Sequence, residues 1–383
     1  MSQKAAAMAL AALAGVSLTS IPAAAGATPR RSVRADAGVQ VATAPGIPRL
    51  PSGLTALSWM VADADTGSVL AAKDPHRRLA PASTLKTLFA VTVLPKFSAD
   101  SVRQVSATDL AGLGAGSSVV GVKQGGRYTV GDLWRGVFLR SGNDAVHVLA
   151  AMNGGWQTTA REMQQTARRL GARDTTVKSP DGYDAPGQVS SAHDLTVFAR
   201  AGLADEDFAG YCATARAVFP SSGGTSIENT NRMLVGSHGM SRYPGIIGVK
   251  NGYTSKAGNT LIAAARRNGR TLLVTVLNPQ SQVVNGVYKE AGSLLDWGFR
   301  TSDNAQPIGT LGADRTADDG PLLPVAAEAA DVGTRDGVLW RPALVLGAGL
   351  AGMAVLGLGG LLAAGRRVRV RSGEGRGRPG GGS

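Results

Sequence analysis

Two blocks of strand-like sequence stand far apart in this chain, and any compact fold has to bring them together. Residues 57–63 and 68–73 are short apolar runs on either side of Asp65-Thr66-Gly67. The Asp and Gly supply turn chemistry, so the pair predicts a β-hairpin. Much further along, residues 246–252, 259–266 and 271–278 form three more strand-length runs in close order, and 281–297 follows with helical periodicity. Between the blocks the period is mostly helical, at 130–140, 143–152, 158–170, 192–203 and 206–218. Glycines break 101–130 into short strands and turns, 179–188 is a Pro/Gly/Asp loop, and 221–245 is turn-rich with an extended piece at 227–234. The economical solution is an α+β fold. A mostly antiparallel sheet takes strands from both ends of the domain, helices flank it, and an all-helical subdomain is inserted at about 100–235. A cleft is expected at the junction.

Composition excludes several classes. The chain has 383 residues, 43% hydrophobic and 17% charged, enough for a real core in one large or two ordinary domains. Its formal charge is +13, but residues 366–383 alone hold six Arg against one Glu. Residues 51–300 hold 26 Lys or Arg against 18 Asp or Glu, scattered and without a basic stripe interleaved with aromatics, so nucleic acid is not an expected partner. The single cysteine, Cys212, rules out an intramolecular disulfide and a Cys-based metal site, and reads as a small buried hydrophobe on a helix. His76, His147, His193 and His238 fall in four separate segments without metal-ligand spacing. No metal and no cofactor are therefore expected.

The ends carry targeting signals. Residues 1–27 open with Lys4, continue through an apolar run and close on Ala23-Ala24-Ala25 or Ala25-Gly26-Ala27, the pattern of a secretory signal peptide. Residues 28–52 read as a flexible linker and 53–300 as the folded domain. Residues 301–341, with seven Asp or Glu, read as an extracytoplasmic spacer. The unbroken apolar and Gly run at 343–364 would be about 33 Å long as a helix, matching a bilayer core. It predicts a transmembrane helix over 342–365. Arg366, Arg367, Arg369 and Arg371 then put the tail 366–383 in the cytoplasm and the body outside, anchored in the cell membrane. Within this run Gly347-Ala348-Gly349-Leu350-Ala351-Gly352 matches a dinucleotide fingerprint in letters only, since no strand precedes it.

Three short motifs carry chemistry. Ser83-x-x-Lys86 stands where the hairpin hands over to an apolar helix starting near Ala82 and running toward Pro95. A spacing of three places hydroxyl and amine on one helix face, close enough to share a proton. Ser141-Gly142-Asn143 is a polar elbow between two helical runs, and taken alone is an ordinary helix stop with Asn143 as the next N-cap. Lys250-Asn251-Gly252 lies on the strand that opens the last sheet section.

In that order, the motifs resemble the penicillin-recognising serine peptidases, in particular the low-molecular-mass D-alanyl-D-alanine carboxypeptidases of peptidase family S11. The resemblance covers about residues 50–300 and extends to Ala64-Asp65-Thr66-Gly67, Pro81-Ala82-Ser83, Ser141-Gly142-Asn143-Asp144-Ala145 and Gly248-Val249-Lys250-Asn251-Gly252-Tyr253-Thr254 with Ala257-Gly258. It implies a β-lactamase/transpeptidase-like fold. It also implies that Ser83 attacks a peptide carbonyl to form an acyl-enzyme, that Lys86 takes its proton, and that Ser141 relays it to the leaving amine. Asn143 would hold the peptide, Lys250, Asn251 and Gly252 would bind the substrate end, and the backbone N–H groups of Ser83 and Tyr253 would form the oxyanion hole. A lysine base needs a lowered pKa, for which burial beside Lys250 is the expected cause. The family usually has Thr or Ser where this chain has Asn251, whose amide can donate a similar hydrogen bond from a different point. The implied substrates are peptidoglycan stem peptides, with β-lactams as inhibitors. A serine β-lactamase, a D,D-endopeptidase, or a catalytically silent wall-binding protein are the alternatives on the same fold.

Overall fold

The computed structural model of the protein describes Val33 and residues 38–221, 224–301 and 305–312. The predicted signal peptide, the transmembrane helix at 342–365 and the tail lie outside these residues. Among the described residues no helix is long and apolar enough to cross a membrane.

In chain order the elements begin with β1 (Val39–Val41), β2 (Ala56–Asp63), β3 (Ser68–Lys73), a 3₁₀ turn (Ala82–Leu85) and α1 (Lys86–Val93). The insert follows with β4 (Val102–Gln104), β5 (Arg127–Thr129), α2 (Val130–Arg140), α3 (Asn143–Met152), α4 (Trp156–Arg169), α5 (Ala192–Leu203), α6 (Glu206–Ala213), β6 (Arg216–Phe219), β7 (Thr225–Glu228) and α7 (Arg232–Val235). It closes with β8 (Ile246–Thr254), β9 (Gly258–Arg267), β10 (Arg270–Pro279), α8 (Gly286–Arg300) and β11 (Gly309–Thr310). The main sheet runs β1-β3-β2-β10-β9-β8, with β11 also pairing β3. All its pairings are antiparallel, and β2 lies against β10, so the two distant strand blocks do join.

The sheet is covered on both faces, which is why β9 and β10 read as apolar runs rather than as alternation. On one face Met60, Ile262 and Leu273 pack with Phe89, Trp134, Phe138 and Phe198 of the helical block. On the other, Trp59, Leu261 and Val274 meet α8 through Val287, Ala291, Leu294 and Leu295, the i, i+4, i+7, i+8 stripe of an amphipathic helix.

Five expectations are corrected. The insert is not all helical: β4 pairs β5, and β6 pairs β7. The helix expected over 206–218 stops at Ala213, and 216–219 becomes β6. Alanines at 213, 215 and 217 favour helix locally, but Pro220 disfavours helix at Phe219 and the β7 backbone supplies hydrogen bonds instead. The extended piece expected at 227–234 divides between β7 and α7, where the Asn231 side chain caps the helix by accepting from the N–H of Met233. Finally, part of the expected linker is built into the domain. β1 pairs β3, Ile47 and Leu50 pack on the α8 side of the core, and the buried Trp297 donates to the Pro48 carbonyl at 2.9 Å. In the segment expected as a spacer, β11 pairs β3 likewise.

Candidate active site

Ser83 stands on the 3₁₀ turn rather than on α1, which begins only at Lys86. Three residues per turn eclipse positions i and i+3, so this geometry brings Ser83 and Lys86 closer than an α-helix would. Lys86 Nζ donates to Ser83 Oγ at 2.8 Å and to the Asp181 carbonyl at 2.5 Å. The turn is held from several sides. Ala82 adopts a left-handed φ of 49°, a strain of about 1–2 kcal/mol. Thr84 Oγ1 and Thr260 Oγ1 both donate to the Pro81 carbonyl, at 2.5 and 3.0 Å. Two glycines let neighbouring chain approach: a Cβ at Gly182 (φ 80°) would overlap the Ala82 carbonyl, and one at Gly252 would stand 2.7 Å from the Ser83 nitrogen.

Lys86 is 1% exposed. Burial lowers its amine to about 8 against the opposing charges of Asp181 and Asp144. Lys250, also 1% exposed, is driven well down by burial and then by the charge of Lys86, while its Nζ donates to the Asn251 carbonyl at 2.8 Å. Burial is the first cause at both amines, and the two lysines interact, each positive charge disfavouring the other.

The elbow forms because α2 ends with Ser141 in the left-handed region (φ 57°), its N–H bonded to the Gly136 carbonyl, and α3 starts at once with Asn143. Ser141 Oγ and Asn143 Oδ1 are buried without a hydrogen-bond partner among the described residues. Asn143 Nδ2 donates to Ser117 Oγ at 3.2 Å, and its backbone N–H to the Ser118 carbonyl at 2.8 Å. Asp144, a residue the motif reading did not single out, gathers the loop above the site. Its buried carboxylate accepts from the N–H groups of Val120, Gly121 and Val122 at 2.8–3.2 Å. Its charge acts on the Lys86 amine. The position of Asp144 directly after Asn143 was the available signal.

On β8, Asn251 Oδ1 accepts from Thr230 Oγ1 at 3.0 Å. Tyr253 is 68% exposed at the rim. Asn251, Gly252 and Tyr253 line a cavity of about 730 Å³ that also takes in Arg140, Thr230, Arg232 and Val284. The loop under Lys86 is tightly stitched. Asp181 Oδ1 accepts from Ser179 Oγ and the Tyr183 N–H, and the Asp184 carboxylate accepts from Thr254 Oγ1 and the Lys256 N–H. The histidines, separate in sequence, are not all separate in space: His76 and His193 meet at Asp174.

A hydroxyl held by a buried amine of depressed pKa, beside backbone donors and two unpartnered polar side chains, suits nucleophilic acyl transfer. Comparison with known proteins agrees with this chemistry. Residues 43–281 match the family model described as D-alanyl-D-alanine carboxypeptidase. The chain is 40% identical over 281 residues to the D-alanyl-D-alanine carboxypeptidase DacB2 of Mycobacterium tuberculosis, covering 72% of this chain and 92% of that protein. Among solved structures it is similar to a D-alanyl-D-alanine carboxypeptidase from M. tuberculosis H37Rv, at 38% identity and TM-score 0.63, over 70% of this chain and 98% of that one. It is also similar to penicillin binding protein 6B from Escherichia coli, at 32% identity and TM-score 0.60, over 68% of this chain and 81% of that one. The fold is the α+β penicillin-binding fold.

Proposed function

The chain belongs to the peptidase S11 family of serine D-alanyl-D-alanine carboxypeptidases, and on that premise we propose that Ser83 removes the terminal D-Ala of peptidoglycan stem peptides through an acyl-enzyme. The observation that carries the reading is the 2.8 Å contact between Ser83 Oγ and a Lys86 amine lowered to about 8 by burial.

In the neutral state Lys86 takes the Ser83 proton as Oγ bonds to the penultimate carbonyl carbon, whose oxygen is received by the Ser83 and Tyr253 N–H groups. The proton passes through Ser141 to the nitrogen of the leaving D-Ala as the C–N bond breaks. Water then cleaves the Ser83 ester and returns its proton to Oγ by the same route. Asn143 holds the peptide backbone. Lys250 and the Asn251 amide receive the terminal carboxylate, whose negative charge favours return of a proton to Lys250. Gly252 lets β8 lie against the Ser83 turn while this happens. β-Lactams would acylate Ser83 in the same way.

Efficient β-lactamase turnover asks for a group that activates water against the acyl ester. The carboxylates of Asp181 and Asp184 in the neighbouring loop are both committed to structural hydrogen bonds, which disfavours that alternative. The cavity of about 730 Å³ adjoins Asn251, the residue proposed to receive the substrate end, and is within the range of sites that hold drug-sized ligands. It favours, as a second reading, cleavage of cross-linked peptides whose leaving group is larger than one D-Ala.

We further propose that residues 342–365 anchor the enzyme in the cell membrane with the catalytic domain outside, and that residues 1–27 direct its export. The apolar run and the Arg residues that follow it support this reading.

Labelled penicillin should acylate the wild-type chain and not Ser83→Ala, and D-Ala should be released from a peptide ending in Lys-D-Ala-D-Ala by the first only. Equal labelling of both proteins would sink the mechanism, and neither adduct nor release from the wild type would favour the silent wall-binding alternative. For the anchor, the full chain should sediment with membranes and a chain ending at Gly312 should not.

A further inference from the structure

We propose that His76, Asp174 and His193 form a binding site for a transition-metal cation of the zinc class, which clamps the loop leading into Ser83. The three side chains offer donor atoms that all lie within 4.8 Å of one another, although they come from three separate segments. His76 Nδ1 stands 2.8 Å from Asp174 Oδ2, and the two imidazole rings lie 4.5 Å apart between centroids at a tilt of 32°. Two imidazoles and a carboxylate are a donor set that zinc takes readily, leaving a fourth position for water. Residual exposure of the His76 and Asp174 side chains, 19% and 15%, leaves that position access to solvent.

The surroundings are those of a metal-binding histidine. His193 Nδ1 lies 3.0 Å from Asp194 Oδ1, so the carboxylate orients the ring and leaves Nε2 for the metal. Asp194 Oδ2 in turn accepts from the Asp174 N–H and from Thr175 Oγ1, at 2.8 and 2.7 Å. Ser191 Oγ donates to Asp174 Oδ2 at 2.9 Å. Tetrahedral zinc holds its ligands about 3.4 Å apart, so the 2.8 Å pair of His76 and Asp174 has to open by about half an ångström and separations as wide as 4.8 Å have to close, adjustments within reach of side-chain rotation. Arg78 opposes a cation here: its Nε is 3.8 Å from Asp174 Oδ1 and its guanidinium donates to the Arg173 carbonyl at 3.3 Å, but its side chain is 61% exposed, so metal binding has only a surface contact to displace.

The site sits where a clamp would matter. His76 follows β3 in the segment that ends at Pro81, and this segment is already tied to the start of α5 by Leu79 and Ser190, which exchange backbone hydrogen bonds, and by the His193 N–H, which donates to the Pro75 carbonyl. A metal bridging His76 and His193 adds a third tie between the same two pieces of chain.

The test uses the chain without a polyhistidine tag, dialysed against a chelator and titrated with Zn²⁺ and, separately, Co²⁺. One equivalent of Zn²⁺ should bind, Tm should rise by about 5 °C or more at a hundredfold excess over Kd, and Co²⁺ should give the strong visible absorption of a four-coordinate site. His76→Gln and His193→Gln, each checked for native circular dichroism, should lose the Co²⁺ spectrum, whereas His238→Gln should keep it. Failure of the wild type to bind, or binding that survives in both His76→Gln and His193→Gln, overturns the site. Neither result bears on penicillin acylation of Ser83.

Discussion

Lys86 Nζ and Ser83 Oγ lie 2.8 Å apart across a single 3₁₀ turn, with the amine 1% exposed. The proposed base is thus both close to the hydroxyl and partly neutral near neutral pH. The turn eclipses the two side chains, and the burial of Lys86 by the surrounding fold lowers its pKa to about 8.

The pH dependence of acylation follows from that value. Only the neutral amine accepts the Ser83 proton, and the neutral fraction grows as pH rises through the folded pKa of about 8. The rate of penicillin acylation should climb about tenfold per pH unit on the acid side and level off above it. Lys86→Ala should lose about 10²–10⁴-fold and show a flat profile. A wild-type profile already flat between pH 6 and 9 would contradict Lys86 as the base.

Gly252→Ala tests the close approach of β8 to the nucleophile. The added Cβ would meet the Ser83 nitrogen and Thr260 Oγ1 at 2.7 Å each, so one of them has to move. Overpacking of this kind costs about 1–3 kcal/mol. We expect a modest fall in Tm and a larger loss of acylation rate, since the displaced N–H is a proposed oxyanion donor. Unchanged acylation would show that the Ser83 N–H needs no fixed position.

Asp144→Ala removes the acceptor for the N–H groups of Val120, Gly121 and Val122. Leaving such donors unpaired costs about 1–3 kcal/mol each where they stay buried. Denaturant unfolding should report a loss of about 3 kcal/mol, and KM for the peptide should rise because the loop carrying Ser117, the partner of Asn143, is released. Asp144→Asn should recover only part of the stability.

Asn251→Thr addresses the departure from the family pattern. The Asn251 side-chain oxygen accepts from Thr230 and its amide N–H group hydrogen-bonds Tyr288, so a substrate carboxylate has to share or displace that donor on the cavity wall. A shorter hydroxyl at this position should lower KM for peptides ending in a free carboxylate by several-fold and leave peptides ending in an amide unaffected. Equal effects on both substrates would remove Asn251 from carboxylate recognition.

The sequence alone determined the features that depend on neighbours in the chain. The β2–β3 hairpin, the bounds of α2, α3 and α5, and the Ser83-x-x-Lys86 spacing were all legible, because side-chain period, turn residues and capping act within a few positions. The family resemblance rested on the same local strings. Apart from the joining of the two strand blocks in one sheet, contacts across the fold were not legible. Alanines at 213, 215 and 217 favour helix, yet residues 216–219 become a strand because β7 offers a partner, and residues 38–50 lack a period yet are held by β3 and Trp297. Likewise, only the tertiary structure buries Lys86 beneath Asp181, turns Asn251 to Thr230 and brings His76 to His193. Burial, charge and hydrogen bonding act through space, and spatial neighbours are set by the packing of the whole domain.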